Sequence, residues 1–130
     1  MSQESSLRPP SAIVLEVAAA FERYEDALIR NDVALLNDFF LHRDDTVRFG
    51  IREQSYGYGE ISAWRSTATS VAPGRQILRR VIAPLGDDVA CVSTEFSDPS
   101  TPGVGRQSQT WLRTPLGWKI AAAHVSMATS

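Results

Sequence analysis

The sequence predicts a single α+β domain, and three observations carry that prediction. Apolar residues recur at helical spacing through the first half of the chain. From Pro73-Gly74 onward the pattern changes to long strand-like runs separated by turn chemistry. A length of 130 residues fits one domain, large enough for a core and one enclosed cavity. Helices first and strands afterwards place the helices on one face of a curved antiparallel sheet.

Each element has its own signal. Residues 1–11, "MSQESSLRPPS", read as a flexible N-terminal arm, and 12–130 as the domain. Ser11 is the expected N-cap of the first helix. At about 100° per residue, Val14, Val17, Ala18, Phe21 and Leu28 form one stripe, with Tyr24 at its edge and Glu25 near its middle. An unpaired buried carboxylate costs several kcal/mol, so Glu25 either pairs with an arginine or faces a cavity. "RND" at 30–32 ends this helix, and Asp32 caps a short second one that buries Leu35, Leu36, Phe39 and Phe40. Residues 46–50, "TVRFG", make a short strand. "YGYGEISAWRSTATSV" is a glycine-marked turn into a third helix, with Ile61, Trp64 and Ala68 on its packed side. The strand-like runs span 75–83, 88–96, 105–113 and 118–127, broken by "PLGD", "SDPSTPGVG" and "TPLG".

The last hairpin raises the question of function. A loop of even length at "TPLG" pairs Trp111 with Ile120, Gln109 with Ala122 and Gln107 with His124. Opposed residues share a face, so His124, Gln107, Gln109 and Trp111 are expected to point the same way unless a bulge intervenes. Two amides and an imidazole make either the polar floor of a cavity or a hydrated subunit interface. A lone His124 also fits a core histidine with a hydrogen-bond partner.

Composition removes several function classes. The net charge of −2, with no long run of one sign, argues against a nucleic-acid surface. The longest apolar stretch, 12–21, is interrupted by Glu16 and is too short to span a bilayer. Cys91 is the one cysteine, which excludes an internal disulfide, fits a cytoplasmic location and reads as a small buried hydrophobe. The histidines are His42 and His124 alone, with no H-x-x-x-H, so neither a zinc site nor any other metal or cofactor is expected. No G-x-S-x-G elbow or glycine-rich phosphate loop occurs. Twelve of the thirteen basic residues are arginine, the side chain suited to holding carboxylates bidentately.

"RYEDALIRNDVALLNDFFLHRDDTVRFG" resembles the opening of the nuclear transport factor 2-like superfamily, "YGYGEISAWR" its following segment, and "GRQSQTWLRTPLGWKIAAAHVS" its closing hairpin. The resemblance implies a cystatin-like cone, with a bent sheet around a long helix and a pocket at the open end. Within the superfamily, "AAFERYEDAL", "TVRFG", "GRQSQTW" and "GWKIAAAHVSM" resemble AtzH-like proteins, including the HpxZ type associated with oxalurate and purine breakdown. That likeness implies a small anionic carboxylated urea or ureide as substrate and a decarboxylating amidohydrolase activity in part of the group. It also implies that Tyr24 and Arg48 are the working pair. The HpxZ branch implies the alternative of a non-catalytic accessory protein that binds a small anion or a larger amidase. The resemblance also implies a homodimer paired through the outer sheet face. Steroid-isomerase-like relatives need an Asp base after the "T-V" strand entry, where this chain has Arg48 and Phe49, so enolisation chemistry is not expected.

The residue types agree with that chemistry. Arg48 can grip a carboxylate or pair structurally with Glu25. Tyr24 can donate or accept a proton. Gln109 and His124 can polarise a carbonyl or hold water, with Trp64 and Trp111 as apolar walls. The expected site is therefore Tyr24 and Arg48, supported by Glu25, Trp64, Gln109, Trp111 and His124.

Overall fold

The computed structural model describes residues 8–128. The described elements are α1 (Pro10–Arg30), α2 (Val33–Asp38), β1 (Val47–Phe49), β2 (Gln54–Tyr56), α3 (Tyr58–Thr67), β3 (Gln76–Pro84), β4 (Val89–Asp98), β5 (Thr101–Thr114) and β6 (Gly117–Ala128). The six strands form one sheet in the order β2-β1-β6-β5-β4-β3. The α+β class follows the sequence expectation, with one correction. The sheet is mixed, because β1 runs parallel to β6 while the other neighbours are antiparallel. Phe40 already bridges Ile120 in parallel, and the chain continues in that direction into β1. The short β2, which carries no apolar alternation, was not expected from the sequence.

α1 starts one residue before the expected cap. Pro9 is the N-cap and Pro10 the first helical residue, where the fixed φ of proline suits the first turn. Ser11 therefore sits inside the helix. The expected arm is shortened as well: the Arg8 N–H donates to Asp87 at 3.1 Å, and its guanidinium pairs with Glu16. The rest of that arm, residues 1–7, lies outside the described residues. Asn31 closes α1 in the left-handed region with φ 52°. Asp32 caps α2 as expected, accepting from the Leu35 N–H at 3.2 Å.

The buried face of α1 is Ile13, Val17, Ala20, Phe21, Tyr24, Ala27 and Leu28. This is the expected stripe rotated, so that Tyr24 moves from its edge to its middle and Glu25 moves to its flank. The rotation presents the two largest side chains, Phe21 and Tyr24, to the concave sheet. The facing sheet residues are Ala90, Val92, Thr94 and Phe96 on β4, Gln107, Gln109 and Trp111 on β5, and Trp118, Ile120 and Ala123 on β6, all buried. On α3 the packed side is Ile61 and Arg65. Trp64 is half-buried, and Ala68 serves as the C-cap rather than a packed residue.

The expected register fails at one point. Trp111 pairs with Ile120, but Thr110 pairs with Ala122, leaving Ala121 as an extra residue in β6. Beyond this bulge Gln109 opposes Ala123, Gln107 opposes Val125, and Ser108 opposes His124. A one-residue insertion exchanges the two faces of everything that follows. Gln107, Gln109 and Trp111 keep their common inner face, whereas His124 turns to the outer face and is exposed.

Gly105 permits one close approach. A Cβ built there would overlap the Phe96 ring, which lies across β5 at this point. Gly105→Ala is expected to lower stability by about 1–3 kcal/mol through overpacking, read as a lower urea midpoint with an unchanged m-value.

Candidate functional site

A cavity of about 580 Å³ opens at the end of the sheet, beneath the C-terminal part of α1. Tyr24 and Leu28 of α1 and Trp64 and Arg65 of α3 line one side. Arg48 comes from β1, Glu53 from the loop after it, Arg75 from the residue before β3, and Gln107 from β5. Tyr24 and Arg48, the two side chains singled out from the sequence, thus border one space.

Tyr24 is held by aromatic packing. Its ring meets Phe39, Phe40 and Trp111 edge-on at centroid distances of 5.6, 6.2 and 6.3 Å. Only 3% of the residue is exposed, so the ring is core and the hydroxyl is its polar tip at the cavity. The hydroxyl accepts a long hydrogen bond from Arg65 Nη2 at 3.5 Å. Trp111 is fully buried and is absent from the cavity lining, so its part is to support Tyr24. Gln109 also lies behind the wall, accepting from Trp111 Nε1 at 3.0 Å. His124 is removed from the site altogether. It packs edge-on against Phe49, 5.5 Å between centroids, on the outer sheet face.

The expected Glu25–Arg48 pair does not form. Glu25 takes a bidentate bond from Arg75, at 2.9 and 3.1 Å, with both side chains largely buried. Arg75 also lies 3.9 Å above the Phe96 ring. Arg48 instead donates to Glu53 at 3.0 Å. The rotated helix brings Glu25 to the β3 side, out of reach of β1. Arg75 had no sequence signal beyond the need of Glu25 for some cation, which any of the twelve arginines could have met.

Arg65 was missed from the sequence. Four residues after Ile61, it continues the packed stripe of α3, and an arginine in that position is the signal that could have found it. It is 7% exposed and has no carboxylate partner among the described residues. Its guanidinium and that of Arg48 both lie over Trp64, at 4.5 and 3.8 Å from the ring centroid. Burial pushes the Arg65 guanidinium below the usual arginine range. The Tyr24 hydroxyl and, more weakly, the Glu53 carboxylate oppose that shift, and the Arg48 charge adds to it. Trp64, expected as a wall, therefore also holds two like charges together.

A family profile for AtzH-like proteins matches residues 8–130. The chain belongs to the AtzH-like family. No curated protein matches it. Among solved structures, a cystatin-like fold protein from Burkholderia xenovorans is 47% identical, with a TM-score of 0.88 over 92% of this chain and 94% of that one. A protein of unknown function from Pectobacterium atrosepticum is 42% identical, with a TM-score of 0.87 over 95% of this chain and all of the other. A nuclear transport factor 2-like protein from Salmonella enterica, 20% identical over 92% of this chain and 94% of that chain with a TM-score of 0.75, shares the fold. This AtzH-like chain thus has the nuclear transport factor 2-like, cystatin-like architecture that the motifs implied. Among the described residues no helix is long and apolar enough to cross a membrane, and no group of three His, Cys, Asp or Glu could hold a metal ion.

The Glu25–Arg75 pair gives a direct stability test. Arg75→Met leaves a largely buried carboxylate without its cation and is expected to cost about 3 kcal/mol. Adding Glu25→Gln is expected to recover most of that loss, which a double-mutant cycle by chemical denaturation would measure.

Proposed function

We propose that this AtzH-like chain is a small cofactor-free decarboxylating amidohydrolase acting on an anionic carboxylated urea or ureide. The observation that carries the reading is the convergence of Tyr24 and Arg48 on one cavity bordered by arginines. The space holds a molecule of a few heavy atoms with water, and its cationic walls favour an acid over a neutral amide.

In the reaction, water adds to the ureide carbonyl and the C–N bond breaks. The amine leaves with a proton, and an N-carboxylate formed or already present is lost as carbon dioxide while its nitrogen takes a proton. Arg48 fixes the group that reacts, and the Tyr24 hydroxyl moves the proton. Trp64 forms the apolar wall. Glu25 acts through Arg75, and Gln109 and Trp111 hold the wall behind Tyr24. His124 has no part in the chemistry.

The protein would work in the cytoplasm as a homodimer joined through the outer sheet face. Ser93, Ser108, Thr110 and Ala122 leave a shallow apolar depression there around the Phe49–His124 pair. Light scattering should give twice the chain mass, and a monomer would refute that part. The alternative, an accessory protein presenting a bound anion to an amidase, draws on the same cationic cavity and predicts binding without turnover.

The test is turnover of dicarboxyurea, allophanate and oxalurate by the purified protein, followed as ammonia and carbon dioxide release. Tyr24→Phe and Arg48→Ala are each expected to lower kcat/KM by a factor of about 100 or more. Turnover that survives both substitutions would overturn the site, and anion binding without turnover would favour the accessory role.

A further inference from the structure

Two buried donor groups at the inner end of the cavity are poorly satisfied by the protein. Arg65 is nine-tenths buried, and its one protein hydrogen bond is the 3.5 Å contact with the Tyr24 hydroxyl. Gln107 is equally buried at 6% exposure, and its Nε2 has no partner. Both border the same space. The other guanidiniums buried in this wall are offset by carboxylates, Arg48 by Glu53 at 3.0 Å and Arg75 by Glu25 at 2.9 Å. A buried cation without a carboxylate in contact and a buried amide without an acceptor both weaken the fold. Such local costs persist where a ligand removes them.

We infer that Arg65 and Gln107 form a carboxylate-binding subsite at the inner end of the cavity. Arg65 then anchors the ligand, leaving Arg48 to face the reacting group. The inference rests on the proposed amidohydrolase reading and deepens it by dividing the work between two arginines. Planar guanidinium donors match two carboxylate oxygens, and the Gln107 amide supplies one further N–H. Trp64 fixes the separation. The two guanidinium carbons lie 3.8 and 4.5 Å from its centroid, so they can be no further apart than the sum of those lengths. A ligand spanning them is therefore short, with its carboxylate only a few bonds from the group that reacts.

The test is equilibrium binding of malonate by calorimetry, with malonamide as the neutral control, together with the melting temperature of each ligand-free variant. Wild type is expected to bind malonate and not malonamide. Arg65→Met and Gln107→Leu are each expected to weaken malonate roughly tenfold or more. Their melting temperatures should be unchanged or higher, because Gln107→Leu removes a buried donor that lacks a partner and Arg65→Met removes a desolvated cation whose one side-chain hydrogen bond is long. Lower affinity with undiminished stability distinguishes a ligand-binding role from a structural one. Malonate affinity unchanged in both variants, equal binding of malonamide, or no malonate binding by wild type would overturn the subsite. Turnover that still depends on Tyr24 and Arg48 would in those cases leave the reaction proposal standing. Malonate binding that depends on Arg65, in a protein that turns over none of the ureides, would leave the subsite standing alone.

Discussion

The packing of Tyr24 between α1 and the concave sheet is the contact on which the rest of the site depends. Phe39, Phe40 and Trp111 surround its ring edge-on, and Phe39 meets Trp111 at 5.9 Å. Burying rings of this size contributes on the order of 2 kcal/mol each, with edge-to-face pairing adding about 1 kcal/mol. The cluster joins α1, the end of α2 and β5, and so sets how far the helix lies along the sheet. The phenol oxygen inherits that position. It ends at the boundary between core and cavity, where it meets the guanidinium of Arg65.

Around this boundary two of the buried arginines are paired with carboxylates and Arg65 is not, while Arg52 and Asp98 also line the cavity. Arg75 and Glu25 neutralise each other in a nearly dry wall, and Arg48 and Glu53 do so closer to solvent. Trp64 draws Arg48 and Arg65 to one ring, although their like charges repel. Arginines outnumber carboxylates along this wall, with Arg48, Arg52, Arg65 and Arg75 set against Glu53 and Asp98 in the lining and Glu25 behind it. That imbalance, more than the fold, is what the proposed preference for acids rests on.

The bulge at Ala121 divides the two faces of β6. Trp118 and Ile120 before it, and Ala123 after it, all point inward, which strict alternation would not allow. The inner face thereby stays apolar along β6, while the imidazole of His124 goes to the outer face beside Phe49. The predicted place of His124 depended on that one insertion. The sequence "IAAAHVS" gives no indication of it, because small residues satisfy either parity.

The sequence by itself determined the order of the helices and long strands and the capping of α2 by Asp32, and it singled out Tyr24 and Arg48, which the fold brings to one cavity. Those features follow from local periodicity, turn chemistry and motif resemblance, which a linear chain displays directly. The tertiary structure alone decided the parallel β1–β6 pairing, the partners of Glu25 and Arg48, the outward turn of His124 and the burial of Arg65 without a carboxylate in contact. Each of these depends on which residues distant in sequence come within a few ångströms of one another. With twelve arginines available, charge pairing is settled by helix rotation and strand register, which composition does not encode.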